Sequence, residues 1–192
     1  MRRLIIDVET TGLSSEHNQI LTVGMLTIEM KKRGYKVIDS EHLRIKHKEY
    51  NVNPIALKIN KINLKEHHKI GINPGLACKR INRFISSHDL KKFPLVGHNL
   101  RFDLRFLNSL FNQAERKKTF TSGFSDFVDT MAIWRNLKAN GAVPSHLSGS
   151  LKTVAGYFDV NYENAHDALN DCHITAEVYN NIVKMLKKIE NT

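Results

Sequence analysis

Apolar and polar positions follow two different periods along this chain, and the change of period predicts its elements. Residues 3 to 8 form a short apolar run typical of a buried strand, and residues 19 to 30 form a longer run rich in β-branched side chains. A turn at residues 31 to 34 and a third strand over about residues 35 to 46 complete an antiparallel meander, because Gly34 tolerates the positive φ of a tight hairpin.

Helical and extended segments alternate in the rest of the chain. The expected elements are helices from Pro54 onward, over residues 74 to 87 and up to Phe111, strands within 93 to 97 and over 124 to 128, and further helices around a loop at 140 to 150. A meander followed by such alternation predicts an α/β fold, with a mixed sheet of antiparallel and then parallel strands flanked by helices. One domain over residues 1 to 192 is the simplest organisation.

Composition excludes several classes of protein. The chain has 192 residues, of which 41% are hydrophobic and 25% charged, and no stretch approaches the roughly 18 unbroken apolar residues of a membrane span. The apolar run after Met1 is too short for a secretory signal. Cys78 and Cys172 form no C-x-x-C pair, so we expect reduced thiols in a cytoplasmic protein with no membrane partner.

The net charge of +10 is concentrated in one part of the chain. Residues 31 to 92 contain 16 Lys and Arg against 5 Asp and Glu, whereas the remainder is close to neutral. Such an excess attracts polyanions and contributes salt-dependent affinity for phosphate backbones. A solvated face without a binding role explains the same excess equally well, so charge alone leaves both interpretations open.

Two carboxylates share one face of the first predicted strand, within the sequence LIIDVETTGL at residues 4 to 13. Side chains alternate along a strand, so Asp7 and Glu9 project to the same side about 7 Å apart, while the apolar residues between them face the other way. Oxygen ligands converging from one face suit a hard divalent cation. A D-x-E pair on an apolar strand is nevertheless weak evidence of catalysis when it stands alone.

A third carboxylate belongs to the sequence VGHNLRFDLRFL at residues 96 to 107. Asp103 falls in a predicted helix and borders its apolar stripe. Taken alone, Asp103 fits an ordinary exposed helix carboxylate better than a ligand. His98 and Asn99 fit a polar cap before the helix equally well.

The fourth carboxylate belongs to the sequence NAHDALNDCHITAEVY at residues 164 to 179. Asp171 borders the apolar face of a long predicted helix. His166 lies at the start of that helix, where an imidazole can face a cleft. A single histidine in this position fits a helix cap or a surface residue as well.

The three motifs together resemble those of the DnaQ-like DEDDh exonucleases. D-x-E-T-T-G, H-N-x-x-F-D and H-x-A-x-x-D occur in this order, and the resemblance covers nearly the whole chain. His166 stands five residues before Asp171, which indicates the histidine branch of the family over the tyrosine branch. Residues 53 to 66 also resemble the family's segment after the third strand, although Lys61 stands where the family usually has glycine.

The resemblance implies a ribonuclease-H-like fold and a 3′–5′ exonuclease that releases nucleoside 5′-monophosphates, with single-stranded DNA ends favoured. It implies two divalent ions, Mg²⁺ or Mn²⁺, and a histidine general base, whose ordinary pKa near 6.5 suits proton transfer. The metal ligands would be Asp7, Glu9, Asp103 and Asp171, and the base would be His166. The substrate would contact the backbone of Thr10, Thr11, Gly12 and Leu13 and the side chains of Asn99 and Phe102.

Other functions compete with this prediction. An RNA 3′-end trimming enzyme carries the same motifs, because phosphate contacts position a strand without identifying its sugar. A non-catalytic nucleic-acid-binding module, or a subunit associated with a polymerase, could keep the fold without the activity. A polymerase or a second copy of the chain is a candidate protein partner, whereas Lys184, Lys187 and Lys188 of the last helix fit a solvated face better than a partner surface.

Overall fold

The three N-terminal strands form the predicted antiparallel meander in a computed structural model that describes residues 1–163 and 165–190. They are β1 (Arg2–Thr10), β2 (Ile20–Lys31) and β3 (Gly34–Arg44). The central strand of the three is β2, which is antiparallel to both neighbours. The strand β1 extends two residues beyond its predicted end, because Glu9 and Thr10 still pair with β2.

Two short strands extend the sheet on the other side of β1. They are β4 (Leu95–Gly97) and β5 (Phe127–Asp129), both parallel to their neighbours, and the strand order is β3-β2-β1-β4-β5. This mixed sheet confirms the predicted α/β, ribonuclease-H-like class. Because β4 pairs with β1 only at Leu4 and Ile5, the second half of β1 has no strand neighbour on this side.

The predicted position of the fifth strand, residues 124 to 128, was wrong by about three residues at its start. Phe124 lies in a turn, where its N–H donates to the carbonyl of Thr121, and its ring packs beside Phe120. The side chain is 8% exposed, so it belongs to the core without belonging to a strand. The apolar character of Phe124 therefore predicted its burial correctly, but its place in a strand incorrectly.

The basic segment after β3 forms two short helices where one helix starting at Pro54 was predicted. These are α1 (Pro54–Asn60) and α2 (Leu64–Ile70). Lys61 ends α1 in the left-handed conformation, and the Asn63 side chain accepts hydrogen bonds from the first backbone N–H groups of α2. The chain then enters α3 (Pro74–Ser87), which has the predicted bounds.

The remaining helices are α4 (Leu100–Gln113), α5 (Thr130–Ala139), α6 (Leu151–Tyr157) and α7 (Ala168–Glu190). Among the described residues, none of the helices combines the length and the apolar character that a membrane span requires. Both cysteines are free and buried.

Helices cover both faces of the sheet, and β1 lies between the two layers. Leu4, Ile6 and Val8 belong to a core cluster with residues of α3 and α4, whereas Ile5 belongs to a cluster with Cys172 of α7. The alternation predicted for β1 is therefore confirmed. Asp7 and Glu9 point to the face that α7 covers.

Candidate active site

The carboxylates of β1 lie where α7 approaches the sheet most closely. Asp7 pairs across the sheet with Gly24 of β2, and Glu9 pairs with Thr22. A Cβ atom on Gly24 would lie 2.3 Å from the carbonyl oxygen of Ala168, the first residue of α7. The absence of a side chain at residue 24 thus allows the first turn of α7 to lie against the sheet beside Asp7.

Asp103 reaches the same region from the opposite layer. It lies in the first turn of α4, is 3% exposed, and its Oδ1 accepts a hydrogen bond of 3.1 Å from the backbone N–H of Val8. That N–H is available because β4 ends before it reaches this part of β1. The interpretation of Asp103 as an exposed helix carboxylate is therefore wrong.

Asp171 and His166 are joined at the start of α7. The backbone N–H of His166 donates to Asp171 Oδ2 at 3.2 Å, with Oδ1 at 3.4 Å. His166 adopts a φ of 72° and lies two residues before the helix, whereas the sequence placed it at the helix start. Asp167 completes the turn, since its carboxylate accepts from Asn170 N–H and its carbonyl from Asp171 N–H.

Three of the predicted groups converge within the reach of one ion. Glu9, His166 and Asp171 each offer a ligand atom, and these atoms lie within 4.8 Å of one another. Asp7 interacts electrostatically with both Asp103 and Asp171, so it connects this cluster with the carboxylate from α4. The structure thus brings all five predicted catalytic residues to one end of β1.

Burial raises the pKa of every carboxyl group of the cluster. The pKa of Glu9 rises to about 8, through desolvation first and then through the charges of Asp171 and Asp167, while a hydrogen bond from Asn60 opposes the rise. Desolvation also raises the pKa of Asp171 to about 6, against the effect of the His166 N–H. The pKa values of Asp7 and Asp103 lie well above their ordinary range for the same reason, with added repulsion from neighbouring acids.

Four acids held together in this way suit hard divalent cations. Carboxylate oxygens are the preferred ligands of Mg²⁺, Mn²⁺ and Ca²⁺, and a cation removes the repulsion that raises these pKa values. Without a cation, protonation is the alternative way to relieve the repulsion. The donor set therefore fits the predicted metal centre.

The predicted substrate loop follows β1 directly. Thr10 and Thr11 are buried, and Thr10 Oγ1 donates to the carbonyl of Gly12 at 2.6 Å, which closes a tight turn. A Cβ on Gly12 would lie 2.4 Å from Asn18 Oδ1, so this position requires glycine for close packing. Leu13 is 74% exposed, so its apolar side chain is open to solvent.

Asn99 and Phe102 lie at the start of α4, on the side of Asp103. Asn99 takes the N-cap position with a φ of 65°, but its side chain makes no capping bond and is exposed. The capping interpretation is therefore wrong for this side chain. Phe102 is half-buried and packs against Phe106, with ring centroids 4.8 Å apart. The other candidate cap, His98, bonds Thr130 and the Gly149 carbonyl through its two ring nitrogens.

A cavity of 320 Å³ opens beside Glu9 and His166 and includes residues that the sequence did not single out. The additional polar residues of its lining come from β2, β3, α1, α2 and the turn before α7: Thr22, His42, Arg44, Asn60, Asn63, Glu66, His67 and Asp167. The two cavity residues of β3, His42 and Arg44, lie on either side of the buried Leu43, and this local alternation was a usable signal. The contribution of Asn60, by contrast, depends on how α1 folds back on β1.

Tyr162 is a further residue that sequence reasoning missed. Its ring meets the imidazole of His166 edge-on, with centroids 6.2 Å apart. Desolvation raises its pKa to about 12, with smaller contributions from the charges of Asp171, Asp7 and Glu9. Tyr162 therefore remains neutral beside the acids and packs against the predicted base.

Comparison with known proteins relates the chain to exonucleases. A family model described as "Exonuclease" matches residues 4–179. Ribonuclease T of Wigglesworthia glossinidia brevipalpis is 30% identical over 97% of this chain and 86% of that protein. Ribonuclease T of Haemophilus ducreyi is 28% identical, again over 97% of this chain and 86% of that protein.

Solved structures share the fold. E. coli exonuclease I in complex with a dT13 oligonucleotide has a TM-score of 0.80 and 20% identity, over 99% of this chain and 42% of that chain. The chain thus spans less than half the length of exonuclease I. The family match and the relatives, together with the motifs on β1, α4 and α7, lead to one conclusion: the chain belongs to the exonuclease family, in its DnaQ-like DEDDh branch of 3′–5′ exonucleases.

Proposed function

We propose that this protein removes nucleoside 5′-monophosphates from the 3′ end of a single nucleic-acid strand by metal-dependent hydrolysis. The observation that carries the proposal is the convergence of Glu9, His166 and Asp171, with ligand atoms within 4.8 Å of one another, beside the half-buried Asp7 and the buried Asp103. A purely structural role, such as a histidine that caps a helix or an acid pair at the surface, does not explain why four desolvated carboxylates lie together. Collecting such groups is costly in stability and is typical of functional sites.

Asp7, Glu9, Asp103 and Asp171 hold two divalent ions in this proposal. When bound, Mg²⁺ or Mn²⁺ stabilises the attacking and leaving oxygens of an in-line phosphoryl displacement. The protein positions the ions by fixing its carboxylates, for example through the bond from Val8 N–H to Asp103. Such fixed ligands need no reorganisation during the reaction.

His166 is the proposed general base. It accepts a proton from the water that attacks the last phosphodiester, and the bond to the 3′ oxygen of the preceding nucleotide then breaks. The Tyr162 ring packs edge-on against the imidazole. The bond from the His166 N–H to Asp171 holds the base beside the ligands.

The turn after β1 and the start of α4 form the proposed binding site for the terminal nucleotides. The backbone of Thr10, Thr11 and Gly12 is the proposed wall of this site and is fixed by hydrogen bonds of its own, such as that from the Thr11 N–H to the Gln19 carbonyl. Leu13 and Phe102 offer apolar surface for a base. Asn99 is exposed at the same end of α4 and provides a polar contact.

RNA and DNA are both candidate substrates. The sequence favoured DNA, whereas the relatives at 28–30% identity are named ribonuclease T, and this observation favours RNA 3′-end trimming as the second candidate. E. coli exonuclease I binds single-stranded DNA in its complexes, which keeps a DNA end in consideration. A single-stranded 3′ end is common to both.

Matched 5′-labelled DNA and RNA oligonucleotides, single-stranded and duplex, test the proposal with Mg²⁺, Mn²⁺ or EDTA. We expect a ladder that shortens from the 3′ end only with metal, and the ratio of the two rates gives the sugar preference. Release of no mononucleotide from any folded preparation with metal would refute the proposal. Action as one domain, a cytoplasmic location and a polymerase or homodimeric partner stay predictions from the sequence.

A further inference from the structure

Lys61 occupies a backbone conformation that favours glycine. It ends α1 with a φ of 57° and a ψ of 21°, and its N–H donates to the carbonyl of Leu57. A left-handed residue is a common way to end a helix, but glycine or asparagine usually supplies it, because a Cβ atom is crowded there. Lys61 therefore adopts a backbone conformation that lysine disfavours. Such conformations persist where the surrounding structure or a function compensates for the strain.

The residues on both sides of Lys61 contact the active site. Asn60 Nδ2 donates to the carbonyl of Thr10 at 3.1 Å, and the Asn60 side chain also bonds Glu9. Ile62 lines the cavity beside Glu9 and His166. Lys61 is exposed and lies between these two residues of the cavity lining.

Two further lysines accompany Lys61 on the same segment. Lys58 of α1 and Lys65 of α2 are exposed, and among the described residues none of the three lysines forms an ion pair with an acid. The acid of the segment, Glu66, bonds Lys69 at 2.8 Å. The three lysines therefore contribute uncompensated positive charge on the segment that supplies Asn60 and Ile62 to the cavity lining.

Apolar side chains are exposed between these charges. Ile55 is 68% exposed and Ile59 is 50% exposed, one helical turn apart on α1. A single nucleic-acid strand offers the matching chemistry, with phosphates for cations and the flat faces of unpaired bases for apolar groups. A protein partner or a free anion would use only part of this surface.

We propose that Lys58, Lys61 and Lys65 bind the phosphate backbone of a single strand as its 3′ end enters the cleft, with Lys61 lying between two residues of the cavity lining. The inference extends the proposed function, on which it rests, by naming the surface that holds the strand outside the metal centre. Since phosphate contacts are independent of base sequence, this surface binds DNA and RNA strands alike.

The test measures binding separately from hydrolysis. Fluorescence anisotropy with a 5′-labelled single-stranded DNA of about 12 nucleotides, in Ca²⁺ and over a range of salt, gives the Kd and its salt slope. We expect the triple variant K58Q/K61Q/K65Q to raise Kd by about tenfold or more at low salt and to reduce the log–log salt slope by about 2, which corresponds to three lost contacts. The matched control K32Q/R33Q/K36Q removes three cations from the hairpin of β2 and β3, at the far end of the sheet, and leaves both quantities unchanged.

A glycine variant separates binding from folding. Lys61→Gly relieves the left-handed strain, so we expect the Tm to rise by about 1–3 °C while Kd increases about threefold. Glu115→Gly, at another left-handed position after α4, raises the Tm without weakening binding. Lys61→Arg keeps the charge and restores the affinity.

Three results would overturn the inference: a triple variant with unchanged salt slope, an equal loss in the hairpin control, or a wild-type protein that binds no strand. A wild-type protein that binds the strand but releases no mononucleotide in Mg²⁺ overturns the proposed function instead. The two failures are therefore distinguishable in the same set of preparations.

Discussion

Asp7 bears much of the electrostatic repulsion within the site. Burial and the charges of Asp103, Asp171 and Glu9 all oppose its ionisation. The same side chain is one of the proposed metal ligands. Its removal therefore affects stability and activity in opposite directions.

The variant Asp7→Asn keeps the shape of the side chain and removes its charge. We expect kcat/KM to fall at least about 10³-fold, because a carboxylate ligand of the metal centre is lost. In EDTA, the free energy of unfolding should rise by about 1 kcal/mol, since repulsion between buried carboxylates is relieved. Exonuclease assays and chemical denaturation measure the two effects, and Asp126→Asn is an exposed control. Normal activity in Asp7→Asn would refute the ligand assignment.

His166 allows a test that separates a base from a ligand. If it accepts the proton, His166→Gln lowers kcat by about 10²- to 10⁴-fold and leaves Mn²⁺ affinity nearly unchanged. Single-turnover rates and calorimetric metal titration give the two quantities. The exposed His146→Gln serves as the control. Loss of Mn²⁺ binding in His166→Gln would make His166 a metal ligand, a role that its distance to Glu9 and Asp171 permits.

At the scale of elements, the contact between β2 and α7 determines where the last carboxylate lies. Gly24 leaves room for the backbone of Ala168, and Asp171 follows one turn later. We expect Gly24→Ala to lower the free energy of unfolding by about 2–4 kcal/mol and to reduce activity, because the added methyl group displaces the start of α7.

Thermal unfolding and exonuclease rates check this prediction against Gly156→Ala. A Cβ at residue 156 of α6 meets no atom within 4 Å, so that variant should be stabilised by about 0.5–1 kcal/mol through helix propensity. A Gly24→Ala protein with unchanged Tm would mean that α7 does not depend on this contact.

The sequence predicted most of the elements and all five residues of the cluster, for identifiable reasons. Alternation placed Asp7 and Glu9 on one face of β1, and family motifs selected Asp103 and Asp171 from many helix carboxylates. The division of the first helix at Lys61 and the late start of β5 were not predicted, because a left-handed lysine and a buried loop phenylalanine each contradict local preference. The roles of Tyr162 and Asn60 depend on contacts between distant segments, which no local pattern encodes.

At the scale of the whole molecule, the carboxylate cluster couples stability to pH. The pKa of Glu9 is about 8 in the folded chain against an ordinary value of 4.5, and that of Asp171 is about 6 against 3.8. At a pH between the ordinary pKa and the raised pKa of each group, the folded state therefore binds more protons than the unfolded state. It follows that unfolding releases protons, and the free energy of unfolding falls as pH rises through this window.

We therefore expect the Tm in EDTA to decrease from about pH 5 to about pH 8, and the Tm gained by adding Mg²⁺ to increase over the same interval. The cation competes with protons for the same oxygens, so its stabilising effect is greatest where the acids are ionised. Differential scanning fluorimetry across the pH series measures both trends. Glu9→Gln, which cannot ionise, should flatten the EDTA curve. A Tm in EDTA that rises through this window would contradict the pKa direction assigned to Glu9.

Because β4 ends early, the backbone N–H of Val8 donates its hydrogen bond to the Asp103 carboxylate. This amide proton can therefore report on the state of the metal centre. In nuclear magnetic resonance spectra of ¹⁵N-labelled protein, the Val8 signal should shift when Asp103 changes its protonation or binds a cation, because that carboxylate is its hydrogen-bond acceptor. Amides paired within the meander should shift less. A single resonance would thus follow occupancy of the metal centre in solution, without substrate and without a labelled nucleotide.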